Sequence, residues 1–353
     1  MSFELKSTSS TDGTNIAYYK LGRGPGLIIV HGAMQSGQSH TELATILSSH
    51  FTCYLPDRRG RGQSGPMGDN YSPAKEVADL QSLVCETRAR FIFGVSSGAL
   101  LTLKTALATS LSSSLSSPSS PRSASHSASS PSFKRIAVFD PPWWPEAERA
   151  TTTAWVKRYE DELQQGELAE ALTTAMLGSK MGPPFLHSRY LPRWAVVSVS
   201  KLLLRGGSDG LASMPGVGIG STNASGISDG SPPPSPATIQ AAIKTLPAPP
   251  SFGELASTLR SDVLIGQDMF GEAKLRALAP VTTETLILGT EQSPGYMQRS
   301  TRELEKVLPN ARRVEIKGVN HTVTGNRDQL GNPGLVAGEL RRFFLGEGEN
   351  RVE

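Results

Sequence analysis

The chain has 353 residues, of which 37% are hydrophobic, enough to bury the core of one large α/β domain that carries an insertion. Its formal net charge of +3 is spread along the chain, with no basic block longer than Arg58-Arg59 or Arg341-Arg342, which argues against a nucleic-acid partner. No apolar stretch approaches the roughly 18 residues that a membrane helix needs. The N-terminus also lacks a basic start followed by an apolar run, so we expect a cytoplasmic protein with no membrane contact.

The two cysteines are consistent with the expected location in the cytoplasm. Cys53 and Cys85 stand in apolar contexts, near a predicted strand and a predicted helix respectively. Such contexts are more typical of buried free thiols than of a disulfide framework. We therefore expect both thiols to be buried, in a reducing compartment.

Strand patterns alternate with helical patterns along most of the chain. Asp12-Gly13 predicts a turn between a polar first strand and a second strand at 15–21. Six short apolar runs bounded by turn residues predict further strands. They cover residues 27–30, 51–55, 90–93, 135–139, 285–288 and 313–316. Because helical stretches separate several of these runs, we expect a mostly parallel central sheet flanked by helices.

Two segments interrupt this alternation. Between residues 110 and 132, fourteen of 23 residues are serine, and the segment has too little apolar surface to offset the entropy lost on ordering. Residues 206–236 are similarly rich in Gly, Ser and Pro. We interpret the first as a disordered surface loop and the second as a flexible segment.

About 145 residues separate the predicted strand that ends at Phe139 from the one that begins at Thr285, far more than a crossover helix needs. We interpret residues 141–279 as an inserted helical lid, between core parts at 1–140 and 280–353. Helical spacing of apolar residues predicts its ordered parts. These parts are 146–165, 167–177, 191–204 and 238–246, followed by 255–278.

The most informative motif lies where the predicted strand 90–93 meets a helical pattern. Gly94-Val95-Ser96-Ser97-Gly98 has the Gly-x-Ser-x-Gly spacing of a nucleophile elbow. A sharp turn between strand and helix holds a serine hydroxyl exposed beside a base, which a weak nucleophile requires. Gly94 and Gly98 are expected to be small because strand and helix cross closely there. Ser96 is therefore the candidate nucleophile.

Two other stretches follow predicted strands in the first part of the chain. Val30-His31-Gly32-Ala33-Met34 ends one strand, and Tyr54 to Gly65 continues another with the letters YLPDRRGRGQSG. No His, Cys, Asp or Glu cluster has metal-ligand spacing. The glycine-rich run 22–26 precedes a strand, the wrong order for a phosphate or dinucleotide loop. We expect neither a metal nor another cofactor.

Taken in order, these stretches and Gly318-Val319-Asn320-His321 resemble the α/β-hydrolase superfamily, in the branch with epoxide hydrolases, haloperoxidases and small esterases. The resemblance covers roughly residues 10–140 and 280–345. It implies the α/β-hydrolase fold, with the backbone N–H groups of Ser97 and of Ala33, or next Met34, as oxyanion donors. It gives Asp57 and Arg58 a bracing role. The loop after Val30, which carries Ala33 and Met34, is called the oxyanion loop here. For His31, a role in fixing this loop is favoured over a role as a second base.

The resemblance implies a base near the C-terminus, and His321 follows the last predicted strand. The acid departs from the usual pattern, because Ser293 stands where relatives carry an aspartate. Two carboxylates remain, Glu291 nearby and Asp140 at the end of the strand that follows the elbow helix. We favour Asp140, with Glu291 as the alternative and a capping role for Asp140 also open.

These assignments predict a serine hydrolase that cleaves an ester or related acyl bond of a small, apolar molecule. Trp143 and Trp144, at the start of the insertion, either line the substrate pocket or pack the insertion on the sheet. Two alternatives stay open: the same residues used for carbon–carbon cleavage or lyase chemistry, and a ligand-binding protein with little turnover. An aspartate nucleophile, as in epoxide hydrolases, is disfavoured because Ser96 occupies that place.

Overall fold

The computed structural model describes residues 1–115, 133–181, 184–188, 190–205 and 235–347. Its centre is an eight-stranded sheet with the strand order β1-β2-β4-β3-β5-β6-β7-β8. The strands are β1 Glu4–Ser9, β2 Asn15–Gly22, β3 Gly26–Val30, β4 Thr52–Pro56, β5 Phe91–Val95, β6 Arg135–Phe139, β7 Glu284–Thr290 and β8 Ala311–Ile316. The pairings of β2 with β1 and β4 are antiparallel, and β3 to β8 run parallel. The predicted fold class, a mostly parallel sheet flanked by helices, is confirmed.

Alternation along the central strands builds the core on both faces of this sheet. Leu27 and Ile29 point into one apolar cluster, and Ile28 and Val30 point into the other. Strands buried on both faces read as unbroken apolar runs, which is why the sequence revealed them. Helices Thr41–Leu47 and Gly334–Leu345 cover the first face, whereas helices Pro73–Thr87, Ser97–Leu115 and Gly295–Val307 cover the second.

The core helices are α1 Thr41–Leu47, α2 Pro73–Thr87, α3 Ser97–Leu115, α11 Gly295–Val307 and α12 Gly334–Leu345. Helix α3 continues through residues 110–115, so the predicted serine-rich loop begins later than residue 110. Serine in a helix costs little once the helix is nucleated, which lets α3 extend into the serine-rich stretch. The rest of that predicted loop, 116–132, lies outside the described residues, as do 348–353.

The insertion between β6 and β7 is helical, as its apolar spacing predicted. Its helices are α4 Arg149–Gln164, α5 Leu168–Gly178, α6 Arg193–Arg205, α7 Pro236–Ile243, α8 Phe252–Ser257, α9 Leu259–Asp268 and α10 Glu272–Arg276. Helix α9 packs on α2 and α3 of the core. Of the predicted flexible segment 206–236, residues 206–234 lie outside the described residues. Its last residue, Pro236, is the first residue of α7. The lid role of the insertion stays a prediction.

The thiols differ from expectation at one position. Cys53 on β4 is buried, but Cys85 on α2 is exposed. Helix α2 turns Leu80, Leu83 and Val84 toward the core, which leaves Cys85 on the opposite face. The prediction of two buried thiols was therefore wrong for Cys85. In the described part of the chain, no helix is long and apolar enough to cross a membrane.

Candidate active site

Ser96 stands at a strained turn between β5 and α3. Its φ of 55° is in the left-handed region, which a residue with a side chain adopts at a cost in energy. A Cβ on Gly98 would lie 2.5 Å from the carbonyl oxygens of Val30 and His31, and a Cβ on Gly94 would lie 2.4 Å from the Gly98 oxygen. Both glycines are therefore required by the close crossing of strand and helix, as predicted.

His321 and Asp140 meet at the same edge of the sheet. Asp140 directly follows β6, and His321 lies in the loop after β8. The distance from His321 Nδ1 to Asp140 Oδ2 is 3.0 Å. Since a carboxylate only accepts, Nδ1 carries the proton, and the Nε2 lone pair is left free to take one. The structure thus brings the preferred acid candidate to the candidate base.

Phe139 connects this pair to the elbow. Its carbonyl oxygen accepts a hydrogen bond of 2.8 Å from the Ser96 amide, and its ring centroid lies 5.8 Å from that of His321. Within the described ranges, the Ser96 hydroxyl itself makes no hydrogen bond to His321. Catalytic hydrogen bonds often tighten only when substrate binds. Phe139 therefore links the Ser96 backbone to the candidate base, and the described residues form no closed hydrogen-bond chain from Ser96 to Asp140.

Two hydroxyl groups also approach the Asp140 carboxylate. Ser293 donates to Oδ2, and Thr290 donates to the same oxygen over 3.5 Å. The other oxygen, Oδ1, has no hydrogen-bond partner among the residues that the structure describes. Ser293, at the position where the family resemblance led us to expect an aspartate, thus donates a hydrogen bond to the acid candidate instead. The sequence indicated the missing aspartate but not this contact.

Glu291, the alternative acid, lies elsewhere. Its side chain is exposed and accepts a hydrogen bond of 2.9 Å from the Gly318 amide. This contact steadies the loop that leads to His321, but the carboxylate does not hydrogen-bond the imidazole. The geometry therefore leaves Asp140 as the acid candidate and gives Glu291 a different contact.

The loop after β3 lies directly against Ser96. A Cβ on Gly32 would come within 3.0 Å of the Ser96 Cβ, and Ala33 and Met34 form the turn that follows, with a φ of 56° at Met34. On the other side, Ser97 is the first residue of α3, where an N–H has no acceptor inside the helix. Ser97 and the loop that carries Ala33 and Met34 thus flank the candidate nucleophile.

His31 holds this loop from inside the protein. Its Nδ1 lies 2.9 Å from the Gly32 oxygen, and its Nε2 accepts a bond of 3.2 Å from the Arg58 amide. These partners assign the proton to Nδ1. Burial, with the positive charges of Arg61 and Arg58, holds the pKa of His31 well below its ordinary value, so the ring is neutral. These contacts match the loop-fixing role that the sequence favoured.

The stretch Asp57-Arg58-Arg59-Gly60 braces the same loop. Asp57 accepts bonds from the Gly37 and Gln63 amides and from the Tyr19 hydroxyl. Arg58 forms a buried ion pair with Glu76 and another with Asp262, a residue of α9. The bracing role expected for Asp57 and Arg58 has its contacts here, but the sequence did not single out Asp262. No local signal could have done so, because its partners lie about 200 residues away.

The two tryptophans have different surroundings. Trp143 is buried in the second apolar cluster, and its indole N–H donates to the Gly271 oxygen over 3.1 Å, which is a packing environment. Trp144 is partly exposed and stacks on Tyr296, with ring centroids 5.1 Å apart. Burial and the nearby charge of Asp140 raise the pKa of Tyr296. Trp143 therefore serves the core, whereas Trp144 keeps some exposure and packs on a buried tyrosine.

Among the described residues, no group of three or more His, Cys, Asp or Glu side chains could hold a metal ion. The polar groups gathered at this edge of the sheet are the Ser96 hydroxyl, the His321 imidazole, the buried Asp140 carboxylate and the backbone amides of the turn residues. This set can move a proton and stabilise a developing oxyanion.

A serine at a sharp turn after a parallel strand, with a histidine after the last strand, defines an α/β hydrolase. A comparison with protein families places the chain there directly. It belongs to the alpha/beta hydrolase family, whose model matches residues 27–331. Membership of this family supports a hydrolase activity, and the predicted superfamily is confirmed.

Known proteins agree on the fold. An alpha/beta hydrolase from Sphaerobacter thermophilus DSM 20745 superposes with a TM-score of 0.62 at 24% identity, covering 96% of this chain and all of that one. The esterase RhEst1 from Rhodococcus sp. ECU1013 gives 0.55 at 17% identity, covering 98% and 99%. The uncharacterized hydrolase YraK of Bacillus subtilis (strain 168) is 29% identical over 100 residues, which span 27% of this chain and 37% of YraK. The match to YraK therefore leaves most of that relative uncovered.

Proposed function

We propose that this chain is a serine hydrolase that cleaves an ester or related acyl bond of a small, apolar molecule through an acyl-enzyme. One observation supports this most: His321 and the buried Asp140 are hydrogen-bonded at the sheet edge where Ser96 holds a strained turn. The esterase among the structural relatives agrees with this reaction class. In this role Ser96 is the nucleophile, His321 the base and then the acid, and Asp140 the residue that orients the imidazole.

The first half of the reaction follows from these positions. Ser96 Oγ adds to the carbonyl carbon, its proton passes to His321 Nε2, and the carbonyl π electrons move onto oxygen. The N–H groups of Ser97 and Ala33 then stabilise that negative charge. When the C–O bond to the leaving group breaks, the imidazolium returns its proton to the departing oxygen. Asp140 stabilises the imidazolium in between.

Water completes the cycle at the same groups. His321 takes a proton from water as its oxygen adds to the acyl carbon, and the bond to Ser96 Oγ breaks as Oγ recovers a proton. The partly exposed Trp144, which stacks on Tyr296, is the candidate apolar contact for the acyl group. A small apolar substrate therefore suits the site. No cofactor, nucleic-acid or membrane partner is invoked, and a location in the cytoplasm stays a prediction.

Hydrolysis of a short p-nitrophenyl ester tests this function. We expect Ser96→Ala to lower kcat by about 10⁶-fold, as removal of a triad serine does in other hydrolases. Ser48→Ala is the matched control, because Ser48 is also buried but caps the end of α1 beside Arg23, at the edge of the sheet where β3 begins. Wild-type activity that survives in Ser96→Ala contradicts the proposal. A burst of nitrophenol equal to the enzyme concentration separates the acyl-enzyme route from a lyase that uses the same residues.

A further inference from the structure

A cluster of four buried charges lies beneath the candidate oxyanion donors. We call Arg58, Arg61, Glu76 and Asp262 the buried ion cluster. Two arginines and two carboxylates balance in charge, and each side chain is almost fully enclosed. Three members come from the core, but Asp262 belongs to α9 of the insertion. Burial raises the pKa of the Asp262 carboxyl, yet Arg61 and Arg58 lower it below its ordinary value, so Asp262 is ionised.

One oxygen of Asp262 reaches the residue next to the nucleophile. Oδ1 accepts a hydrogen bond of 2.7 Å from the Ser97 hydroxyl and one of 2.8 Å from Arg58 Nη1. Arg58 Nη1 also donates to the Ser97 hydroxyl over 3.1 Å. The side chain of Ser97 is therefore fixed from two directions. Its backbone N–H, the proposed oxyanion donor on this side, belongs to the same residue and is held with it.

The other oxygen of Asp262 acts on the second donor through Arg61. Oδ2 accepts a bond of 2.7 Å from Arg61 Nη2, and Arg61 Nη1 donates to the Gly32 carbonyl oxygen over 3.2 Å. That carbonyl and the Ala33 N–H belong to one planar peptide group, in which they point in opposite directions. Fixing the Gly32 oxygen on the buried side therefore turns the Ala33 N–H away from it. His31 Nδ1, 2.9 Å from the same oxygen, supports this orientation.

Two further contacts of Arg61 come from the insertion. Its Nε donates to the Thr258 hydroxyl over 2.9 Å, and its Nη2 donates to the Ser261 hydroxyl over 3.0 Å. Asp268, at the end of α9, pairs with Lys104 on α3. Helix α9 is thus fastened to the elbow helix at both of its ends. Asp262 is the point at which this fastening meets both proposed donors.

We infer that Asp262 is a positioning residue for the oxyanion hole, so that the docking of α9 from the insertion completes the site. The inference rests on the proposed function, because it assigns Ser97 and Ala33 as oxyanion donors. It goes further, because it makes a helix outside the α/β core a requirement for fast acyl transfer. Asp262 touches neither substrate nor Ser96. It acts through Ser97 and through Arg61.

Asp262→Asn tests the inference with little change in size. An amide has only one oxygen, so its NH2 group must replace one oxygen of the carboxylate. That group faces either Arg61 or the pair Ser97 and Arg58, which are donors themselves, and the hydrogen bonds on that side are lost. We expect kcat on the p-nitrophenyl ester to fall by about 10- to 100-fold, less than the loss of a whole oxyanion donor, with KM nearly unchanged. Affinity for an aryl trifluoromethyl ketone should fall by the same factor. Ser96 Oγ adds to its carbonyl carbon, His321 takes the proton, and the resulting O⁻ needs both donors.

Asp79→Asn is the matched control. Asp79 is also buried and pairs with Arg59 of the same loop, but it does not contact Ser97 or the Gly32 peptide. This variant should lose stability while kcat and ketone affinity stay near the wild-type values. Ser97→Ala serves if Asp262→Asn does not fold, because it removes the hydroxyl contact and leaves the four charges in place. It should lower kcat and ketone affinity together by several-fold, without a change in KM.

Folded Asp262→Asn with wild-type kcat and ketone affinity overturns the inference, as does an equal loss in Asp79→Asn. If Asp262→Asn does not fold, an unchanged Ser97→Ala overturns it. The proposed function fails separately, through hydrolysis that survives in Ser96→Ala. A wild-type protein that neither turns over the ester nor binds the ketone overturns both.

Discussion

Two buried aspartates at this site have opposite surroundings. Asp140, at the edge of the sheet, is approached by one imidazole, His321, and by the hydroxyls of Ser293 and Thr290, and one of its oxygens has no partner in the described part of the chain. Asp262, in the insertion, is held between two arginines. A carboxylate that must stabilise a developing imidazolium gains from having no fixed cation beside it. A carboxylate whose charge is already balanced by two arginines can instead hold the backbone in place.

This difference separates chemistry from positioning. Asp140 should matter most for rate and little for folding, because its charge is needed when His321 becomes protonated. The buried ion cluster should matter strongly for folding, because removing one member leaves a buried charge without its partner. Variants at Asp140 should therefore lose mainly rate, whereas variants in the buried ion cluster should lose stability together with a smaller part of the rate.

The largest expected effect is at Asp140. Asp140→Asn should lower kcat by about 10⁴-fold, because the amide favours the wrong imidazole tautomer and no longer balances the imidazolium. Ester hydrolysis at saturating substrate measures it. Glu291→Gln is the control, since that exposed carboxylate contacts only backbone near His321. If Glu291→Gln loses as much activity as Asp140→Asn, the assignment of the acid is wrong.

The next effect is on stability, at the buried ion cluster. Arg58→Met should lower the free energy of unfolding by about 3–5 kcal/mol, because Glu76 loses its bidentate partner and Asp262 loses one of two. Arg149→Met, which breaks an exposed pair with Glu146 and a cation–π contact with Phe270, should cost much less, because exposed charges are screened by water. Urea unfolding followed by circular dichroism compares the two. Equal costs would remove the contrast between the cluster and an ordinary surface pair.

The smallest expected effect is a loss of stability at low pH, caused by a buried histidine between the loops of the active site. The His40 ring lies between two loops of the site. One ring nitrogen faces Gln35 of the oxyanion loop, and the other faces the carbonyl oxygen of Thr324, a residue shortly after His321. Burial lowers the pKa of His40 to about 4. The unfolded chain therefore binds a proton near pH 6.5 that the folded chain refuses. Stability present above that pH is lost as pH falls toward 4, by about 3 kcal/mol from this side chain.

Urea midpoints at pH 7 and pH 4.5 measure this loss, and His40→Gln should reduce it. His31, whose pKa is also lowered by burial, adds a loss of the same sign that remains in that variant. His187→Gln, at an exposed position, should leave the pH dependence as it is in the wild type. A pH dependence that is identical in wild type and His40→Gln counts against a neutral, buried His40.

Much of this site could be predicted because its residues follow strands. Asp140 and Ser96 come directly after buried apolar runs, and the carboxyl ends of parallel strands meet at one edge. The choice between Asp140 and Glu291 depended on side-chain direction, which sequence spacing does not fix. Asp262 escaped prediction because a carboxylate in an amphipathic helix reads as a solvated residue, and its contact with Ser97 spans 165 positions. Cys85 was misplaced for a related reason, since its apolar neighbours occupy the other face of α2.

The most direct test of the central claim is to locate a fluorophosphonate adduct by mass spectrometry. Trypsin cleaves after Arg90 and Lys104, so Ser96 and Ser97 fall in one peptide, 91–104, and fragment ions distinguish them. We predict stoichiometric modification of Ser96 in the wild type, none in Ser96→Ala, and slower modification in Asp140→Asn. A wild-type protein that stays unmodified, or an adduct on Ser97 that persists in Ser96→Ala, would contradict Ser96 as the nucleophile.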